Sequence, residues 1–168
     1  MSDNYVGNAP ALIAPLAGRL IQSRSHVRTD FVTQAGNTPF DDTIPQIGEG
    51  LEYLSVANFA PLLIGSRVRL CSHLEFAMGG AGVAIGHVHR SGTADALAAS
   101  MMSPVAAGDY EGYLDIEYEF IVASLAPFTY SFRAGVNGGA ASIKMNGRGA
   151  RLLGGVRQSW LRIDEFSP

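Results

Sequence analysis

From Ser25 onward, hydrophobic and polar positions alternate in run after run, the pattern of strands with one face in a core and the other outside it. In "GYLDIEYEFIVAS" (112–124), Leu114, Ile116, Tyr118, Phe120 and Val122 form one face, and Asp115, Glu117 and Glu119 the other. "SRVRLCSHLEF" (66–76) sets Val68, Leu70, Ser72 and Leu74 against Arg67, Arg69, Cys71 and His73. "HVRTDFVTQ" (26–34), "LEYLSVAN" (51–58), "GVAIGHVHR" (82–90), "FTYSFRAG" (128–135), "ASIKMNG" (141–147) and "SWLRIDEF" (159–166) read as further strands.

The connections carry turn chemistry. "AGNTPFDD" (35–42) supplies a glycine for positive φ and a proline to fix the bend, and "VNGG" (136–139) reads as another turn. "GTADALAASMM" (92–102) is rich in alanine and reads as one or two helical turns, or as a loop with small residues packed beneath it. About eight strands with glycine-rich connections and almost no helical periodicity predict an all-β protein, an antiparallel sandwich or jelly roll. No internal repeat is present.

Residues 1–24 are different. Their apolar clusters are interrupted by Gly7, Pro10, Pro15 and Gly18 and sustain no period. Leu12, Ile13, Leu16 and Leu20 line one short helical face. The chain therefore divides into an irregular or partly helical N-terminal anchoring segment, 1–24, and a β domain, 25–168; a disordered leader is the alternative reading of the first part. At the other end, Trp160, Leu161, Ile163 and Phe166 are too apolar for an unpaired edge, which places "SWLRIDEF" inside a sheet or a subunit contact.

Composition narrows the classes. With 168 residues, 47% hydrophobic and 16% charged, the chain is long enough for one real core. A net charge of −3, with twelve basic residues scattered along the chain, argues against nucleic acid as a partner. The single cysteine, Cys71, has no internal disulfide partner. The first residues, "MSDNYVGNAP", lack the basic start of an export signal, and no apolar run reaches the roughly 18 residues of a membrane span. Synthesis in a cytoplasm without Sec export, and without membrane insertion, is the expectation.

Candidate chemistry is sparse. His87 and His89 are two apart, so on a strand both rings face one way, as in a two-histidine metal grip. Only Asp95 stands near enough in sequence to add a ligand, so the pair is expected to be exposed or at an interface, without metal. Asp115, Glu117 and Glu119 recur roughly every 7 Å along one strand face. Arg67 and Arg69 have the same spacing, so cross-strand or intersubunit ion pairs explain the three carboxylates better than a glycosidase cleft, which needs two carboxylates facing each other. No G-x-S-x-G, H-E-x-x-H, P-loop or dinucleotide fingerprint occurs. The chain reads as no enzyme and needs no cofactor; a glycan-degrading enzyme is the remote alternative.

Three pieces carry a resemblance: "DDTIPQIGEGLEYLS" (41–55), "YSFRAGVNGG" (130–139) and "NGRGARLLGGVRQSWLRIDEF" (146–166). They resemble a C-terminal domain of tail-fibre, head-fibre and other structural proteins of tailed bacteriophages and gene transfer agents. The resemblance covers most of residues 26–166. It implies a trimeric jelly roll, similar in shape to the tumour necrosis factor and complement globular heads, with the final strand near the threefold axis. Trp160, Leu161, Ile163 and Phe166 would then divide between subunit core and trimer contact. Asn146, Gly147, Gly154 and Gly155 would form the turn and bulge that aim this strand.

The implied function is a virion structural protein: a small head spike or fibre, a decoration protein or a tail-fibre piece. It would be homotrimeric and held to other virion proteins through residues 1–24. No shaft, coiled coil or collagen-like repeat precedes the β domain within these 168 residues, which sets the chain apart from long fibres. A compatible alternative is a receptor-binding module for host surface polysaccharide. Its loops would be 36–45, 77–82, 90–110 and 134–141, with Tyr110 and Tyr113 as sugar-stacking rings.

Overall fold

The strands predicted by alternation are present, and long-range pairing sets their bounds. The computed structural model describes residues 17–34, 36–103, 110–137, 142–148, 150, 153 and 156–168. They form β1 (Leu20–Arg28), β2 (Val32–Gln34), β3 (Leu51–Phe59), β4 (Arg67–Gly79) and β5 (Val83–Arg90). Then follow β6 (Ala98–Met102), β7 (Tyr110–Ile121), β8 (Phe128–Asn137), β9 (Ser142–Met145) and β10 (Ser159–Phe166). The protein is all-β. Its strands pair antiparallel in two sheets stacked as a sandwich, and no α-helix occurs among the described residues. No helix of those residues is long and apolar enough to cross a membrane.

β4 organises the six-stranded sheet. Along one flank it pairs with β7 from Arg67↔Ile121 to Met78↔Tyr110. Along the other it pairs with β10 (Arg67↔Phe166 to His73↔Trp160) and then with β9 (Phe76↔Met145 to Gly79↔Ser142). β10 also pairs with β1, and β9 with β2. The last strand therefore sits inside the sheet of a single chain, with a partner on each side. Leu161 and Ile163 point into the core at 0% exposure, each worth about 1.5–3 kcal/mol of burial. Trp160 and Phe166 lie on the opposite, outer face and are half-buried.

Four details depart from expectation. "HVRTDFVTQ" is not one strand: β1 and β2 run end to end on the same flank, interrupted at residues 29–31. "GTADALAASMM" contributes no helical turn; its second half is β6, recruited by the edge of β5 (Ala84↔Met102 to Val88↔Ala98). Residues 20–24 of the expected anchoring segment are part of β1, with Leu20 opposite Phe166. The strands among the described residues number ten, against about eight expected. Leu12, Ile13, Leu16, Gly154 and Gly155 lie outside the described residues.

The four-stranded sheet has the order β3-β8-β5-β6. Its inner face gives Leu54, Val88, Tyr130, Phe132, Ala134 and Val136 to the core, against Leu70, Leu74, Leu114, Ile116, Leu161 and Ile163 from the other sheet. Gly86 has to be small here: a Cβ would come 2.7 Å from the Phe132 ring. Across the outer face of this sheet runs a strap, residues 36–50. It is joined to β8 by the Asn37↔Val136 bridge and to the 91–97 loop by the Gln46↔Asp95 bridge. Gly135 lets the strap close in, since a Cβ there would meet Thr38 Oγ1 at 2.3 Å and the Gly36 carbonyl at 2.8 Å.

Candidate functional site: an aromatic strip on the six-stranded sheet

Register brings three rings from three strands into one row. His73 on β4 pairs with Trp160 on β10, and its neighbour on the same face, Glu75, pairs with Tyr113 on β7. Odd-numbered β4 residues face outward, so all three rings lie on the outer side of the sheet, away from the core. The His73 and Tyr113 rings have centroids 5.9 Å apart and planes 28° apart. His73 and Trp160 are 6.1 Å and 23° apart. Tyr113 is 57% exposed.

Polar groups border the row. His73 Nδ1 lies 2.6 Å from Asp115 Oδ1, which fixes the imidazole between its aromatic neighbours. Arg157 pairs with Glu75 and, at 3.3 Å, with Glu111. The Glu75 carboxylate keeps the Arg157 guanidinium firmly charged by accepting its hydrogen bond. Glu75, Met102, Glu111, Gly112, Tyr113 and Arg157 line a shallow depression beside the Tyr113 ring. On the other side the Arg162 guanidinium lies 5.7 Å from the Trp160 ring centre and pairs with Asp164 at 2.9 Å.

Flat apolar rings ringed by carboxylates and guanidinium groups are a donor set for a ligand with both C–H faces and hydroxyl edges. The rings offer stacking area, and the charged groups offer fixed acceptors and donors. Further along this face, Arg67 pairs with Glu119 at 3.7 Å, and Arg69 with Glu119 at 3.0 Å and Glu117 at 3.7 Å. Phe166 lies under both guanidinium groups, 5.2 and 5.0 Å from their central carbons. These are the cross-strand ion pairs predicted from spacing, each worth about 0.2–1 kcal/mol on an exposed sheet face.

The predicted site residues separate. Tyr113 is exposed, as a ligand contact requires; Tyr110 opens β7, and its side chain lies outside the described part. Trp160 joins Tyr113 in the strip, which sequence reasoning did not foresee, and His73 was not singled out as a ring at all. The spacing of residues along one strand gives their face, but which strand lies beside which is fixed by topology. His87 and His89, expected at the surface or an interface, are both 0% exposed. The strap and the 91–97 loop lie over the sheet face that carries them, so burial follows from tertiary cover rather than from their own strand. Among the described residues no group of three or more histidine, cysteine or carboxylate side chains is placed to hold a metal ion.

No protein-family model matches the chain, and no curated protein matches it.

Proposed function

We propose that the chain is a structural protein of a tailed-phage or gene-transfer-agent particle that contacts surface polysaccharide through the Tyr113–His73–Trp160 strip. In this reading the domain is a jelly roll, assembles as a homotrimer, and is mounted on other virion proteins through residues 1–24. The particle role rests on the resemblance of residues 41–55, 130–139 and 146–166. The binding role rests on one observation: three rings from three strands lie in a row on the outer face, with Tyr113 more than half exposed.

The same face argues about the trimer. It is dense with Arg67, Arg69, Arg162, Glu117, Glu119 and Asp115, whereas the core of a subunit contact is depleted of charge. Trp160 and Phe166 are therefore assigned to the wet face, and the threefold contact to another surface. Three weak strips on one trimer gain by avidity, by about 10²–10⁴ when their spacing matches the ligand.

The test is binding of the purified chain to an array of bacterial surface polysaccharides, with absolute mass from light scattering for each variant. Tyr113→Ala and Trp160→Ala are expected to weaken binding at least tenfold while three chain masses persist. A monomer on Trp160→Ala would make the strip a subunit contact instead. Unchanged binding in both variants would remove the strip from the ligand site.

A further inference from the structure

We propose that the strap over residues 36–50 is an acid-released latch, closed only while the buried pair His87 and His89 is uncharged. The pair sits on the outer face of β5, and both side chains are fully buried. His87 Nδ1 and His89 Nε2 are 2.6 Å apart, so one ring nitrogen donates to the other and the two share a single proton across that contact. His87 Nε2 and His89 Nδ1 have no hydrogen-bond partner among the described residues. The contact itself would survive one charge, since a charged ring can donate to its neutral neighbour. What opposes that charge is burial, with no acceptor for the extra N–H, and a second charge would also set two facing N–H groups against each other.

The surroundings add to this. From β8, Arg133 stands beside His87 in the register. It donates to the carbonyls of Glu49 and Gly50 at the end of the strap and pairs with Glu52 of β3 at 3.6 Å. From the 91–97 loop comes Asp95, which accepts from Gln46 of the strap. The strap itself carries Asp41, Asp42 and Glu49, of which Glu49 accepts from the Gln46 amide. β6 contributes no charge (AASMM), and Arg90, at the end of β5, lies over the Phe128 ring. Burial, His89 and Arg133 push His87 down to about 3. Burial and Arg133 also lower His89, with Asp95 opposing them.

Opening the strap returns each imidazole to water and to an ordinary value near 6.5. The folded values are depressed, so the closed form is fully favoured above that pH, and the advantage is lost as pH falls below it. Between pH 7.5 and 5.0 the opening equilibrium rises about 30-fold if one histidine gains a proton on opening, and about 10³-fold if both do. What opens is a defined unit, tied by the backbone bonds Thr38 N to Val136 O, Ile47 N to Ala94 O, Gly50 N to Asn37 O and Ala96 N to Pro45 O. Acid would thus uncover the outer face of the four-stranded sheet while leaving the six-stranded sheet intact.

Hydrogen exchange of the full chain, read by mass spectrometry at pH 7.5 and 5.0 and corrected for intrinsic exchange, tests this. The amides of Thr38, Ile47, Gly50 and Ala96 are expected to lose protection by 30-fold or more, while β4, β7 and β10 keep theirs. The double variant His87→Gln, His89→Gln is expected to remove the pH dependence. Equal strap protection at both pH values, or a loss spread evenly over both sheets, would overturn the latch. If the double variant does not fold, an NMR titration of the wild-type imidazoles decides: either ring titrating near 6.5 while the strap signals stay unchanged would also overturn it.

Discussion

Ser159 Oγ donates to the side-chain carbonyl of Asn146 at 2.7 Å, and this contact closes the junction where three strand ends meet the middle of a fourth strand. The Asn146 amide donates to the Arg28 carbonyl at 2.8 Å and to Tyr53 Oη at 2.6 Å. Its backbone N–H reaches the Glu75 carbonyl at 3.0 Å, and Ser159 Oγ accepts from the Glu75 N–H at 3.1 Å. One buried side chain thus ties the end of β1, the end of β9 and the start of β10 to the middle of β4. Its φ of 56° is one that asparagine tolerates better than most residues.

Asn146→Ala should therefore be among the most damaging single changes in the protein. It strands buried partners at about 1–3 kcal/mol each and adds roughly 1 kcal/mol of backbone strain. A loss of about 3–5 kcal/mol is expected from urea unfolding, with Asn146→Gly milder by about 1 kcal/mol because only the hydrogen bonds are lost.

Glu165 makes stability fall in acid. Its carboxylate is fully buried, and burial alone would raise its pKa. Hydrogen bonds from Ser66, Gln22 and the Leu62 and Leu63 amides outweigh that and hold it below the usual carboxylate range. A depressed folded pKa stabilises above the unfolded value of about 4.3 and is lost as pH falls through the folded one. Glu165→Gln should lower Tm at pH 7 and flatten the decline of Tm below pH 4.5, read by differential scanning calorimetry across pH.

Two glycine substitutions should fail differently. Gly86→Ala drives a methyl into Phe132 between the sheets, and overpacking of that kind costs about 1–3 kcal/mol of global stability. In Gly135→Ala the methyl meets Thr38 Oγ1 and the Gly36 carbonyl on the outer face. Its effect should concentrate in the strap, seen as faster exchange of Thr38 and Gly50 amides with little change in β4 or β7.

The strip should tolerate loss of its exposed ring. Tyr113 is 57% exposed, so Tyr113→Ala should shift Tm by no more than about 1–2 °C, in keeping with a surface change within about 0.5 kcal/mol. Trp160 is half-buried between His73 and Arg162, and Trp160→Ala should lower Tm measurably more. The same scan that reads both variants shows whether weaker binding comes from a folded protein.

β4 and β7 were legible residue by residue because strict alternation over a dozen positions leaves a single choice of buried face. Val68, Leu70 and Leu74 face inward as expected, and Arg67 and Arg69 meet Glu117 and Glu119. β10 was legible as an interior strand from Trp160, Leu161, Ile163 and Phe166, though not that β1 and β4 would be its neighbours. The break at residues 29–31 was hidden because alternation continues through it; there the Arg28 and Asp30 carbonyls turn to the amide of Asn146, more than a hundred residues away. β6 was missed because alanine favours helix locally, while the open edge of β5 decides the outcome. The burial of His87 and His89 depends on a strap held by one isolated bridge to β8 and one to the 91–97 loop, and no local pattern announces those.

The place of β10 also fixes an order of events during synthesis. Among the described strands β1 pairs with β10 alone, so the first of these strands waits for the last of them. Until residues 159–166 leave the ribosome, β1 has no strand partner and one flank of β4 stands open from Arg67 to His73. Pairings this distant in sequence form slowly, and open edges are where nascent chains capture one another. Closing this part of the six-stranded sheet therefore cannot precede the synthesis of β10, and a ribosome stalled before it would hold a chain primed to exchange strands with its neighbour.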